Sequence, residues 1–307
     1  MSYGAIAREQ ADLVERTGLL GEGSVWAGPR TVARFFIHGF GDNGQRARWR
    51  AALASVAISE PAVGAHPKLL TTSAERDGDG YRIFGEKAWV SNGPLAALFI
   101  VFAVTSVEQG RKRYSAFLVP RETSGLTIDE APRRSALAPA RHCRLKLQGC
   151  RVLPSAMLGS PGTAYEVMAR PFRDVEDAVG SFGLLGAFRF LLSRIAVPHA
   201  DDAAKLSLGG LAAVTAVFAA AAEAVVTALD AGELARRLPA LVGLRLLAGE
   251  LLRRARIHRE AFVAAEPTVE RVFDDIETSL SIARSARMAR QARLGEELTI
   301  EAALRRG

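Results

Sequence analysis

The apolar pattern of this chain changes period twice, and that change limits what it can fold into. Residues 1–53 carry helical spacing broken by glycines. In residues 30–40, RTVARFFIHGF, apolar groups recur three and four apart, and Gly39, Gly41 and Gly44 punctuate the run and its sequel. Residues 54–160 switch to short runs rich in β-branched and aromatic side chains, at 57–59, 69–74, 81–84, 98–105, 115–119, 126–128 and 143–147. Turn residues separate them: Asp77-Gly78-Asp79-Gly80, Asn92-Gly93-Pro94 and Ser124-Gly125. Residues 161–307 return to helix, in segments of about 174–197, 203–229, 233–264 and 268–294, with Pro198, Gly232 and Pro267 at the joints. Four long helices with short connections predict an antiparallel bundle. The expected class is α+β, with three regions: 1–53, 54–160 and 161–307.

Within the middle region, residues 80–120 hold the most chemistry. Two strand-like runs, 81–84 and 98–104, flank Gly85-Glu86-Lys87 and then Trp89-Val90-Ser91-Asn92. Read from residue types alone, this is a β-hairpin with a tryptophan in its core. Alternatively, Trp89, Ser91 and Asn92 present small and polar groups to a flat aromatic ligand.

The segment resembles the middle-domain signature of the acyl-CoA dehydrogenase family, G-x-K-x-W-I-T-N followed by a strand and F-x-V-P. Gly85, Lys87, Trp89, Val90, Ser91 and Asn92 fill the first part, with Ser91 in place of the usual Thr, and Phe117, Val119 and Pro120 fill the second. The resemblance implies that Trp89 packs against the isoalloxazine of FAD and that the Ser91 hydroxyl lies near its N5 edge. Residues 57–64, AISEPAVG, are similar to the family's A-x-(S/T)-E-P-x-x-G-S-D. That likeness implies that Ser59 and neighbouring backbone, including Ile58, bond the flavin's pyrimidine edge and stabilise negative charge on the reduced ring. Residues 40–55, FGDNGQRARWRAALAS, resemble FG-x-x-x-Q-x-x-x-(Y/W)-x-x-x-L-A, and also read as an ordinary amphipathic helix. Residues 151–159, RVLPSAMLG, match the family's exit from its β domain, and Arg173, Val175, Ala178 and Gly180 resemble the start of its first bundle helix. The implied fold is acyl-CoA dehydrogenase-like: shortened N-terminal helices, a β-barrel-like middle domain and a C-terminal four-helix bundle.

The chain also departs from the pattern. G-S-D reads Gly64-Ala65-His66, so Ala65 has no side-chain donor. Residues 194–205 lack the Arg-x-x-Phe-Gly loop, and the glycine-rich C-terminal segment and its Y-E-G-T base are not found. Where other members hold the base, before the Arg of the first bundle helix, this chain has Phe172. Glu166, Asp174, Glu176 and Asp177 are nearby acids. They read either as a displaced base or as helix N-terminal acids favoured by the macrodipole. The catalytic residue therefore stays unassigned.

Bulk properties fit a soluble enzyme. The chain of 307 residues is 49% hydrophobic, and its net charge of +7 comes from arginines spread over helices, with clusters at 133–134, 236–237 and 253–256. These suit solvated helix faces; no nucleic-acid motif accompanies them. Cys143 and Cys150 make no disulfide framework and no metal signature, and are expected as reduced apolar fillers of a strand. No signal peptide is apparent, and a cytoplasmic location is expected. Residues 206–222 lack charge and reach the lower length of a membrane span, but their alanine, glycine and threonine content predicts a buried bundle helix, apolar on nearly all faces. The resemblance implies an FAD-dependent oxidation of an acyl-CoA, with electrons passed to an electron-transfer flavoprotein. The alternative is a catalytically silent homologue that pairs with a complete acyl-CoA dehydrogenase subunit.

Overall fold

The computed structural model describes residues 1–131 and 136–305; residues 132–135, with the Arg133–Arg134 cluster, and 306–307 lie outside the described residues. The chain divides into two compact units. One is helical and comprises Met1–Ser24, a short segment at Leu137, and the chain from Asp177 onward. The other runs from Val25 to Glu176 apart from that segment, and holds the sheet.

The sheet unit has eight strands: β1 (Ala54–Ala57), β2 (Ser73–Asp77), β3 (Gly80–Ser91), β4 (Leu98–Glu108), β5 (Arg111–Pro120), β6 (Leu126–Glu130), β7 (His142–Val152) and β8 (Met157–Leu158). Their order is β6-β7-β3-β2-β4-β5-β8, and β1 pairs β4 in parallel. Inward residues of several strands form one core: Tyr81, Ile83 and Val90 of β3, Phe99 and Val101 of β4, Phe117 and Val119 of β5, and Leu145 and Leu147 of β7. Cys143 and Cys150 fill gaps in the same core, both fully buried on β7, and burial pushes the Cys143 thiol up to about 12.

Three local expectations change. The hairpin between 81–84 and 98–104 does not form: β3 pairs with β2 and β7, and β4 with β5, β1 and β2. Gly85-Glu86-Lys87 continues β3 rather than turning it. Gly85, at φ 136°, lets β3 pass Thr72, where a Cβ would lie 2.8 Å from the Thr72 Cα. The reversal comes later, at Asn92, which is left-handed, and the short 3₁₀ turn Gly93–Leu95. The run 57–59 is strand only up to Ala57, and 69–74 only from Ser73, which leaves residues 58–72 as a loop.

In the helical unit, α1 (Tyr3–Thr17) starts at a Ser2 cap and ends on left-handed Gly18. Helix α2 (Leu20–Val32) runs from this unit into the sheet unit, to which a π segment (Ala33–His38) and a short α3 (Asn43–Arg48) belong. Beyond the sheet come α4 (Arg170–Ile195), α5 (Asp202–Asp230), α6 (Leu238–Phe262), α7 (Pro267–Ser281) and α8 (Arg284–Leu304). The expected single helix over 268–294 is two, because Ala283 adopts φ 54° and breaks it. No Gly or Pro marks that break. The free amides at the start of α1 are met by Asp230 at the end of α5, whose two oxygens accept from Tyr3 N and Gly4 N at 2.8 Å each.

Helix α5 is not buried on nearly all faces. Leu211, Thr215, Phe218, Ala222, Val225, Val226 and Leu229 form one buried stripe at spacings of three and four, while Leu206 and Val217 are exposed. Phe218 packs on Phe188 of α4, centroids 6.0 Å apart. By length and composition, residues 165–195 and α5 are both long and apolar enough to cross a membrane; two thirds of the apolar window in the first is buried and one third in the second. The basic clusters at 236 and 253–256 are ion-paired on helix surfaces, as Arg236–Glu233, Arg253–Glu250 and Arg256–Glu277.

Candidate functional site

The bulge in β3 sets the geometry of the site. Lys87 faces Leu145 and Val90 faces Cys143, so Ala88 and Trp89 together oppose the single residue Arg144. The side-chain alternation resets there. Lys87 and Ala88 are both buried, then Trp89 is out, Val90 in and Ser91 out. Trp89 takes φ 58°, an outlier for a bulky side chain, and is 55% exposed. A core tryptophan is thereby ruled out. Trp89 and Ser91 share one open face.

The other two predicted residues meet this face from the loop after β1. The Ala88 amide donates to the Ser59 carbonyl at 2.8 Å, and Lys87 Nζ donates to the Ile58 carbonyl at 3.1 Å. Ser55 Oγ donates to the Ser91 carbonyl at 2.9 Å. The loop at Ile58 and Ser59 therefore lies against β3 at Lys87 and Ala88, next in sequence to Trp89, and β1 reaches Ser91 through Ser55. Ile58 and Ser59 are half-buried.

What fixes them is a buried ion pair that the sequence reading did not single out. Lys87 Nζ donates to Glu60 Oε1 at 2.9 Å, with the two side chains 0% and 5% exposed. Glu60 also accepts from Thr71 N at 2.7 Å, Thr71 Oγ1 at 2.9 Å and Thr72 N at 2.9 Å. Burial raises the Glu60 carboxyl, but Lys87 and the threonine donors outweigh it and hold the group at about 2. Burial pulls Lys87 down to about 8 against the pull of Glu60. The two directions differ on whether the pair is a net gain. The carboxylate governs, because it has four donors while the ammonium has two acceptors. A Glu just before a proline, Glu60-Pro61, and a Lys inside a strand-like run, Lys87, were the available signals.

The rest of the loop is held by its carbonyls. Tyr114 Oη donates to Pro67 O, Tyr165 Oη to Ala65 O at 2.8 Å, and Lys112 Nζ to Leu70 O at 2.6 Å. Ala65 is half-buried and His66 is exposed. The two motif pieces at 40–55 and 151–159 also meet. Gln45 forms a capping box with Asp42, and its Nε2 donates to Ser155 O and Met157 O, both at 2.8 Å.

The nearby acids are distributed differently. Glu166 is exposed and paired with Arg170 at 2.5 Å. Asp177 is buried, with Arg287 Nη2 at 2.6 Å. Neither they nor Asp174 stands in the first turn of α4, which a π segment (Tyr165–Ala169) precedes. Phe172 is buried in an aromatic cluster, its ring 4.6 Å from Phe36 and 5.1 Å from Phe35. Among the described residues no group of His, Cys, Asp and Glu is arranged to hold a metal.

Residues 55–150 match the acyl-CoA dehydrogenase middle domain. The mitochondrial short-chain specific acyl-CoA dehydrogenase of Rattus norvegicus is 31% identical over 134 residues, 42% of this chain and 32% of that protein. The probable acyl-CoA dehydrogenase FadE25 of Mycobacterium tuberculosis is 28% identical over 130 residues, 42% of this chain and 33% of that protein. The matched stretch thus spans about a third of the length of these relatives. Among solved structures, the glutaryl-CoA dehydrogenase from Mycobacterium smegmatis gives a TM-score of 0.74 at 24% identity, over 92% of this chain and 76% of that one. The butyryl-CoA dehydrogenase from Megasphaera elsdenii gives 0.77 at 18% identity, over 91% and 80%. The fold, with a helical unit and a unit that holds an eight-stranded sheet, is like that of these dehydrogenases. Residues 55–150 are therefore similar in sequence to the acyl-CoA dehydrogenase middle domain, and the chain has the fold of these dehydrogenases.

Proposed function

We propose that the sheet unit binds FAD, with the isoalloxazine on the open face made by Trp89 and Ser91 and its edge toward Ser59 and the Ile58–Ser59 backbone. The observation that carries this is Trp89: an indole turned out of the core at φ 58°, beside a loop clamped by a buried ion pair. A strained aromatic is kept exposed where something flat covers it. Bound FAD would supply acceptance of a hydride. The chain's own residues would orient the ring and donate hydrogen bonds to its edge. The substrate would be a CoA thioester, oxidised between its α and β carbons, with electrons passing to an electron-transfer flavoprotein, in the cytoplasm.

A second reading is favoured by Phe172, which is buried among phenylalanines where some family members hold the base, and by Glu166 and Asp177, which are engaged in ion pairs. Under it, the chain is a silent subunit that associates with a complete acyl-CoA dehydrogenase. The exposed apolar residues of α5 and a groove of about 510 Å³ along α5 and α6, lined by Ala221, Ala240, Gly243, Leu244 and Leu247, support association. Flavin absorbance of the purified chain, with and without an added acyl-CoA under anaerobic conditions, separates the readings. Bleaching on addition supports the dehydrogenase. A yellow protein that does not bleach supports the silent subunit, and a protein that takes up no FAD overturns the flavin site.

A further inference from the structure

We infer that the outer face of α5 is a two-fold interface with a second copy of this chain, each Leu206 seating in the other copy's groove between α5 and α6. The inference rests on neither reading of the flavin site. From Leu206 to Ala222 the helix carries no charged side chain, and only a third of its apolar window is buried. Leu206, Gly209, Ala213, Val217, Ala220 and Ala224 recur three and four apart along its exposed side. Leu206 is 80% exposed and Val217 61%, and Leu246 of α6 continues the open surface at 55%.

A second copy fits this face better than a bilayer does. Most of its side chains are methyl groups or hydrogens, which let two helix axes approach closely and leave little to insert among acyl chains. Its two ends are complementary. The large side chain, Leu206, stands near the N-terminal end of α5, and the groove, lined by Ala221, Ala240, Gly243 and Leu247, opens along the C-terminal half. An antiparallel pairing about a two-fold axis near Ala213 brings each Leu206 to the other copy's groove, as an isologous interface requires. The same rotation sets Lys205 opposite the partner's Glu223. The pairs these two charges make within the chain, with Asp202 and Arg8, are exposed. Strips of α5 and α6, each about 25 Å long and 10 Å wide, bury about 1,000 Å² over both copies, the size at which specific interfaces begin.

Sedimentation velocity of the full chain over a concentration series, at low and high salt, tests this. Dimers that persist at high salt are expected. Ala213→Glu sets two like charges at the axis and should weaken dimerisation by about 100-fold or more. Leu206→Ser should weaken it by about 10-fold or more. Both positions are exposed, so urea melts of the variants should match the parent chain. Mixing Ala213→Glu with Ala213→Lys chains should restore dimers, which requires the two positions to face each other. A chain monomeric at every concentration, dimers that Ala213→Glu leaves intact, or no recovery on mixing overturns the proposal. So does a monomer that floats with phosphatidylcholine vesicles, or one that pairs only with an added complete acyl-CoA dehydrogenase.

Discussion

Trp89 carries two costs, a left-handed backbone and an exposed indole, which the proposed flavin would offset. Glycine removes both. Trp89→Gly is expected to hold or raise stability, by about 1 kcal/mol from relief of the left-handed conformation, while flavin retention falls. Urea melts and flavin absorbance of the same variant check this together. Glu60 and Lys87 behave oppositely. Lys87→Met leaves a buried carboxylate without its counter-charge and should cost about 3–5 kcal/mol in urea unfolding. The acid limb follows from Glu60. Its native value, about 2, lies below the ordinary 4.5, so its stabilisation is complete above pH 4.5 and is lost as pH falls toward 2. The expected loss is about 3 kcal/mol, read from melts between pH 5 and 2 and reduced in Glu60→Gln. Trp89, Ser91, Ser59 and Ile58 were legible as a set because they sit in two short motifs. The Glu60–Lys87 pair was not, because its members are 27 apart and meet only through the register of a loop against a bulged strand.

At the scale of elements, strand content was visible and strand partnership was not. Aromatic and β-branched side chains marked 81–84 and 98–105, but nothing in those residues showed that β2 would lie between the strands they form. The extension of β3 through Gly85 depends on a close approach to Thr72, whose amide in turn donates to Glu60. Gly85→Ala should therefore do more than strain one residue. Its Cβ would push on the Thr72 backbone, and unfolding should shift by about 1–3 kcal/mol. Hydrogen exchange at the Thr71 and Thr72 amides should quicken with it. The split between α7 and α8 was hidden for a related reason. Ile282 and Ala283 have ordinary helix propensity, and tertiary context sets the left-handed Ala283.

Across the whole molecule, the order of helix, sheet and helix was plain from the change of period, and the resemblance to acyl-CoA dehydrogenases followed from ordered motifs. The pieces at 40–55 and 151–159, each weak alone, are joined physically by Gln45. The catalytic base stayed out of reach, since acids near α4 can be recognised by type but not by what they pair with. The face of Trp89 and Ser91 is proposed to receive a flavin. An anaerobic titration of the full chain with FAD checks this, followed by flavin absorbance and by quenching of Trp89 fluorescence in a Trp26→Phe, Trp49→Phe background, where Trp89 is the single tryptophan. Saturation near one FAD per chain with the indole quenched is expected. Flavin that binds without quenching Trp89, or no binding at all, would contradict it.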